Sequence, residues 1–199
     1  RPLLRRACPC SRLLSLHVSK LGHPMPAARG LALRTLWRMG TAVLESHAGS
    51  VVGLFRDDSY TVRKTAARML GKLSAPAMRP FADAIAGLLL DTHASVVREA
   101  MHALSGLDHL ALAPHAPAIM PMLGAADELT ALAALRATGK LAPATLDELL
   151  PHDTLVQHSA ALVAKLTHTN WCLREAAEEA LRTLPVAVVA QHSEALVAK

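Results

Sequence analysis

The feature that most constrains this chain is an internal repeat with a period of 34 residues. The segment TLVQHSAALVAK, which begins at Thr154, returns as VVAQHSEALVAK from Val188. A fixed period of this length is typical of proteins that stack copies of one supersecondary unit. Stepping backwards with spacings of 34, 43, 34 and 34 residues gives the equivalent positions, which we call the anchors: His192, His158, His115, Phe81 and His47.

Two amphipathic helices account for each repeat. Residues four and eight positions after an anchor are apolar, as in Ile85 and Leu89, which is the spacing of one helical face. A second helical pattern follows and carries alanine at a fixed position, where a small side chain lets two helices approach to roughly 8 Å. These alanines are Ala66, Ala100, Ala134 and Ala177.

Neither helix pair can bury its apolar face alone, so the pairs must stack into a continuous core. The sequence therefore predicts an all-α fold, a right-handed α-solenoid of about five two-helix repeats. One spacing is longer by nine residues, which places an insertion between the two helices of one repeat, within residues 142–157. Pro80 and Pro114 directly precede anchors, and proline is tolerated in a first turn, so we expect helices to begin there.

Two segments carry a family resemblance. DDSYTVRKTAARMLGKL, residues 57–73, and TNWCLREAAEEALRTL, residues 169–184, resemble the first helix of HEAT repeats, an armadillo-like α-solenoid family. That helix pairs an aspartate in the preceding turn with an apolar residue followed by arginine. The resemblance covers about residues 28–199 and implies the same solenoid fold.

The resemblance also implies a ladder of Asp–Arg contacts between repeats. Asp57 and Arg63 match the pattern fully, Asp91 matches with its arginine displaced to Arg98, and the repeat at Thr130 lacks both residues. We therefore expect a ladder that is interrupted in the middle of the array. The residues predicted to stabilise the repeats are Asp57, Arg63, Asp91 and Arg174.

Charge is uneven along the chain. Residues 1–44 hold eight basic residues and no acidic one, although the whole chain has a net charge of only +5. We divide the chain into a basic N-terminal arm with a half-repeat, residues 1–27, and a repeat domain, residues 28–199. The arm can be interpreted as an organellar transit peptide, a solvated tail, or a tail that binds an acidic partner or RNA. Its candidate contact residues are Arg1, Arg5, Arg6 and Arg12.

Catalytic chemistry is not indicated. HEAT-like di-iron hydroxylases hold their metal with His-Glu pairs, and none of the 11 histidines is followed by glutamate. Anchors of adjacent repeats lie about 8 to 10 Å apart, too far to share one ion, so we interpret them as packing or hydrogen-bonding residues. We predict no catalytic residue, no metal and no cofactor, although a HEAT-like bilin lyase stays open as an alternative.

The odd number of cysteines, three, suggests no disulfide framework and favours a reducing intracellular compartment. The acid-free start of the chain favours a plastid or mitochondrion over the cytoplasm. The longest stretch without Asp, Glu, Lys or Arg, residues 109–126, contains three prolines, so we predict no transmembrane segment.

The predicted function is that of a non-catalytic protein-protein interaction scaffold or a structural subunit of a larger complex. Its partners, other proteins, would contact the surface of the anchor-bearing helices, which correspond to the second helices of HEAT repeats, at the seventh position after each anchor. An RNA-associated organellar subunit that uses the basic arm is the alternative. The residues predicted at that surface are Leu54, Leu88, Met122 and Lys165.

Overall fold

The computed structural model describes residues 9–192, with side chains from residue 14 onward. Every regular element in this range is helical, as the sequence predicts. The chain divides into two compact units, Arg1–Leu73 and Ser74–Lys199. The first contains α1 (Pro9–Ser19), α2 (Pro26–Arg38), α3 (Thr41–Ser46), α4 (Ala48–Val52) and α5 (Tyr60–Leu70).

The second unit contains ten α-helices in its described part. They are α6 (Ala75–Met78), α7 (Ala82–Gly87), α8 (Ala94–Ser105), α9 (His109–Leu112), α10 (Ala116–Ile119), α11 (Glu128–Thr138), α12 (Pro143–Leu149), α13 (His152–Lys165), α14 (Trp171–Arg182) and α15 (Val186–Ala190). The inserted residues form α12, between α11 and α13, so the predicted position of the insertion is confirmed.

Uninterrupted helices alternate with broken ones. The uninterrupted helices are α2, α5, α8, α11 and α14, and they carry the alanine positions found in the sequence. In the second unit, α11 packs against both α8 and α14, and in the first unit α2 packs against α5. Ala66, Ala100, Ala134 and Ala177 are each fully buried, which agrees with their predicted role in close helix packing.

The helices that carry the anchors are broken at the anchor itself in three repeats. His47, Phe81 and His115 have φ between −116° and −101° and ψ between 1° and 13°, outside the helical region. Pro80 and Pro114 lie in 3₁₀ turns just before two of these breaks, because proline lacks the N–H that an α-helix interior needs.

The expectation that helices begin at the anchors is confirmed in part, because α7 and α10 begin directly after Phe81 and His115, which are their N-caps, but short helices already precede both anchors. The chain is already helical from Ala75 and His109, and the prolines interrupt a longer helical path. At His158, which no proline precedes, α13 runs through the anchor without a break.

An ion pair joins the two uninterrupted helices of the first unit. The Arg29 guanidinium donates to both carboxylate oxygens of Asp57, at 2.5 and 2.7 Å, and the side chain of Asp57 is 4% exposed. Burial alone would raise the pKa of Asp57, but hydrogen bonds from Arg29 and from the backbone N–H of Ser59 lower it overall. Asp57 is one of the residues predicted to stabilise the repeats, whereas its partner Arg29 was not predicted.

A second such pair shows that the middle of the ladder is present. Arg98 lies 3.2 Å from the carboxylate of Asp127, which also caps α11 by accepting from the backbone N–H of Thr130. Asp127 comes three residues before Thr130, whereas Asp57 comes five before the equivalent Val62. Arg98 and Asp127 are both displaced from the positions that the repeat spacing gives, so the spacing alone does not predict this pair. The expected interruption at Thr130 is therefore wrong.

Arg63 and Arg174 fix the turns that precede their own helices. Arg63 donates to the carbonyl oxygen of Asp57 at 2.8 Å, and Arg174 donates to that of His168 at 2.7 Å. Asp91 accepts a hydrogen bond, at 2.8 Å, from the backbone N–H two residues later. These contacts stabilise turns, while a contribution of these three residues to contacts between repeats stays a prediction.

Replacing Ala134 by leucine tests the close packing of the uninterrupted helices. Ala134→Leu adds three carbons where no surface is exposed, so we expect it to lower the free energy of unfolding by about 1 to 3 kcal/mol. Urea denaturation followed by circular dichroism measures this change. Ala160→Leu, on the exposed side of α13, is the control and should change stability by less than about 0.5 kcal/mol. Equal effects of the two substitutions would contradict the packing argument.

The Arg29–Asp57 pair predicts a pH dependence. Because the folded protein holds the pKa of Asp57 below its ordinary value, the pair stabilises fully above about pH 4 and its contribution disappears as pH falls through the lowered pKa. Asp57→Asn should therefore unfold at a lower urea concentration than the wild type at pH 7, and the difference should shrink towards pH 2. A difference that does not vary with pH would show that the carboxylate charge is not the source of the stability.

Candidate partner-binding surface

The structure places the four predicted contact residues of the second helices differently. Leu54, Met122 and Lys165 are half-buried, whereas Leu88 is only 5% exposed and packs in the core. Leu88 therefore offers almost no surface to a partner, and the prediction that it forms part of a contact surface is corrected on this point. The other three keep partial exposure, and their role in binding stays a prediction.

The four arginines of the basic arm are outside what the structure describes in side-chain detail. Arg1, Arg5 and Arg6 lie outside the described residues. Arg12 belongs to α1, but its side chain is not among those described. Their predicted contact with a partner stays a prediction.

A groove between α8 and α11 is a surface that the sequence analysis missed. It encloses about 240 Å³, and most of its lining is apolar. Leu129, in the first turn of α11, is 61% exposed and contributes apolar surface to the groove. Eight residues line the groove, including one carboxylate: Arg98, Glu99, His102, Ser105, Leu129, Leu132, Ala133 and Arg136.

The sequence does contain a signal for this groove. Leu132 lies two residues after Thr130, the first buried position of its helical pattern. At the equivalent position the other repeats have Lys64, Arg98 and Glu175. A leucine in a column that is otherwise charged marks a local change from a solvated surface to an apolar one. The repeats are predicted from positions that are buried in every copy, and position 132 is not one of these.

Both ends of the groove are fixed by contacts between α8 and α11. At the amino-terminal ends of the two helices, Arg98 pairs with Asp127. The hydroxyl and the backbone N–H of Thr130 donate to Asp127, and with Arg98 they lower the pKa of this carboxyl. At the opposite end, Lys140 donates to the carbonyl oxygens of Ser105 and Leu107, at 2.5 and 2.9 Å.

Lys140 thus caps the carboxyl-terminal end of α8 from the following repeat. The last carbonyl groups of a helix lack partners within the helix, and a cation nearby also interacts favourably with the helix dipole. Burial lowers the pKa of Lys140, although the neighbouring Asp108 opposes the effect. The two helices that line the groove are therefore held at both ends before any partner binds.

The anchor histidines form contacts with the preceding repeat. His192 Nε2 lies 2.6 Å from Ser159 Oγ, and His115 Nε2 lies 3.5 Å from the carboxylate of Asp83. Burial lowers the pKa of His158. The interpretation of the anchors as packing or hydrogen-bonding residues is confirmed for His115 and His192.

In residues 9–192, the range that the structure describes, no three His, Cys, Asp or Glu side chains come together as a metal site would require. None of its helices combines the length and the apolar character needed to cross a membrane.

Removing the cap that Lys140 provides should loosen one end of the groove. Lys140→Met keeps the aliphatic part of the side chain but leaves the two carbonyl groups to water, so we expect a loss of roughly 1 kcal/mol in stability. Hydrogen exchange should accelerate in the last turn of α8. Lys165→Met, elsewhere in the same unit, serves as the control. Unchanged exchange in α8 would show that the cap has no stabilising effect.

Comparisons with known proteins agree on the fold. Residues 15–105 match the sequence model of HEAT repeats. No curated protein matches the sequence significantly.

Three solved structures of engineered proteins are similar to this chain. One is an engineered protein that is 20% identical to this chain, with a TM-score of 0.74. The match covers 92% of this chain and 84% of the engineered protein. A designed armadillo repeat protein in complex with the peptide (KR)4 is 18% identical with a TM-score of 0.72, covering 92% and 87%. A computationally designed armadillo repeat protein for modular peptide recognition is 17% identical with a TM-score of 0.74, again covering 92% and 87%. At these identities the likeness concerns the fold.

Proposed function

We propose that this chain, a HEAT/armadillo-like repeat protein, is a non-catalytic scaffold that binds other proteins through the groove between α8 and α11. HEAT and armadillo repeat folds typically bind partners rather than catalyse reactions, although a fold alone does not determine a function. The observation that carries the proposal is a groove that is apolar, exposed and held at both ends in the absence of a partner. A surface that is already ordered loses less conformational entropy on binding.

The lining of the groove indicates the kind of segment it would take. Leu129 and Leu132 offer an apolar surface, which favours an apolar side chain in the partner. Arg136 is exposed and has no ion-pair partner among the described residues, which favours an acidic residue beside it. The designed armadillo protein noted above binds a basic peptide, (KR)4. In this groove Arg98 is already paired with Asp127 and Glu99 is itself acidic, so it is Arg136 that favours an acidic residue in a largely apolar partner segment.

Substitutions in the groove test this proposal. The full chain is used to select peptides from a random 12-residue library, and we expect selected peptides to combine apolar and acidic residues. Leu129→Asp and Arg136→Glu should each weaken their binding at least about tenfold, measured by fluorescence anisotropy.

The matched control is Leu110→Asp, which alters another exposed leucine of the same unit outside the groove. It should leave binding unchanged. If the selected peptides bind Leu129→Asp as tightly as the wild type, the groove is not the binding surface.

The proposal extends to a structural role in a larger assembly within an organelle. The support for this extension is the acid-free sequence of residues 1–44, which resembles a transit peptide. Gel filtration of a native extract should then show the chain well above its own 21.1 kDa. Elution at that mass would contradict a stable subunit role, and a fluorescent protein fused to residues 1–44 that stays in the cytoplasm would contradict the organellar location.

A further inference from the structure

The two compact units carry opposite net charge. Residues 1–73 contain 13 basic and three acidic residues, a net charge of +10, whereas residues 74–199 contain eight basic and 13 acidic residues, a net charge of −5. Such a concentration of like charge in one unit attracts anionic partners and lowers the stability of the unit without them. The positive charge of the first unit therefore calls for a functional explanation.

Part of this charge forms two rows on neighbouring helices. Arg34 and Arg38 are four residues apart on α2, and Lys64, Arg68 and Lys72 continue at the same spacing along α5 and just beyond it. Residues four apart lie on one side of a helix, about 6 Å from each other. The 34-residue period makes Arg34 equivalent to Arg68 and Arg38 equivalent to Lys72, and α2 packs directly against α5. The two rows therefore share one face, which we call the α2–α5 face.

Most of these cations have no anionic partner within the unit. Arg34, Arg38, Lys64 and Lys72 form no ion pair among residues 14–73. Asp57, by contrast, is bound by Arg29 in the same unit. Four cations on one face thus have no compensating carboxylate inside their own unit.

An exposed aromatic side chain accompanies the cations. Trp37 is 43% exposed and lies three residues after Arg34, which makes the two neighbours on the helix surface. Rows of cations beside an exposed aromatic ring are typical of proteins that bind single-stranded nucleic acid, where cations contact phosphates and bases stack on the ring.

We propose that the α2–α5 face binds single-stranded RNA. Arg34, Arg38, Lys64 and Lys72 contact successive phosphates, and one base stacks on Trp37. An acidic peptide is less well suited, because isolated ion pairs at a solvated surface contribute little. A nucleic acid strand presents a continuous row of phosphates and releases its condensed counterions on binding. This function lies in the first unit and is independent of the peptide groove in the second.

Salt dependence of RNA binding tests the proposal. The full chain is titrated into a fluorescein-labelled 12-nucleotide oligouridylate, and anisotropy is measured between 50 and 200 mM salt. Each phosphate contact with a single strand contributes about 0.7 to the slope of log affinity against log salt concentration. The double variants Arg34→Gln/Arg38→Gln and Lys64→Gln/Lys72→Gln should each reduce that slope by about 1.4 and weaken binding about tenfold at the lower salt concentration.

The matched control removes the same charge from the second unit. Arg136→Gln/Lys165→Gln should leave the slope unchanged, and circular dichroism verifies that every variant is folded. If the control reduces the slope as much as the α2–α5 variants do, binding depends on net charge and the proposed face is wrong. The groove variant Leu129→Asp should bind RNA normally, which separates this proposal from the peptide-binding one.

Trp37 provides a second readout. The chain contains two tryptophans, so Trp171→Phe leaves Trp37 as the single tryptophan, whose fluorescence can be excited selectively over that of Tyr60. We expect its emission to be quenched when the oligouridylate binds. Binding without quenching would exclude stacking on Trp37.

Two further outcomes would overturn the proposal in favour of another site or partner. If replacing Arg1, Arg5, Arg6 and Arg12 by glutamine abolishes binding while the α2–α5 double variants bind normally, the N-terminal arm binds the RNA and the proposed face is wrong. A (DE)6 peptide of equal charge should compete weakly. Competition as strong as that of unlabelled oligouridylate would identify the face as a site for acidic proteins.

Discussion

The structure depends on the close approach of successive helices at their buried alanines. A two-helix repeat has an apolar side that it cannot cover by itself, so its stability comes from the neighbouring repeat. The alanines of the uninterrupted helices are fully buried, and their small side chains keep the distance between neighbouring helices short. These residues are Ala66, Ala100, Ala134 and Ala177. Everything on the outer surfaces, including the groove and the α2–α5 face, is built on this spacing.

Much of the fold could be predicted from the sequence because the constraint repeats. The period, the two helices per repeat and the site of the insertion all follow from apolar residues that must recur to keep one core continuous. The breaks at His47, Phe81 and His115 were not predicted. A proline before an anchor predicts a helix start, which α7 confirms, but it does not predict the short helix α6 that precedes the same anchor. Local sequence does not distinguish these two arrangements.

The candidate surfaces were harder to predict than the core. The repeat period does not predict the Arg98–Asp127 pair, because both residues are shifted along the sequence from the positions that the period gives. Only the three-dimensional structure shows that the two shifted residues still meet. The groove depends on which leucines remain exposed, and Leu129 and Leu88 are indistinguishable by residue type although one is exposed and the other buried. Buried positions must match in every repeat, whereas surface positions are free to differ, and this freedom allows one repeated core to support two surfaces of different chemistry.

The cap that Lys140 provides for α8 has a consequence for how the array folds. The end of α8 is completed by a side chain from the repeat that follows it, so this helix cannot reach its full stability until that repeat is in place. Folding free energy in this part of the chain is therefore shared between nearest neighbours rather than assigned to single repeats. A duplication or deletion that joins α8 to a repeat without a lysine at this position would leave the helix end frayed. The number of repeats can thus change during evolution only where such connections are preserved.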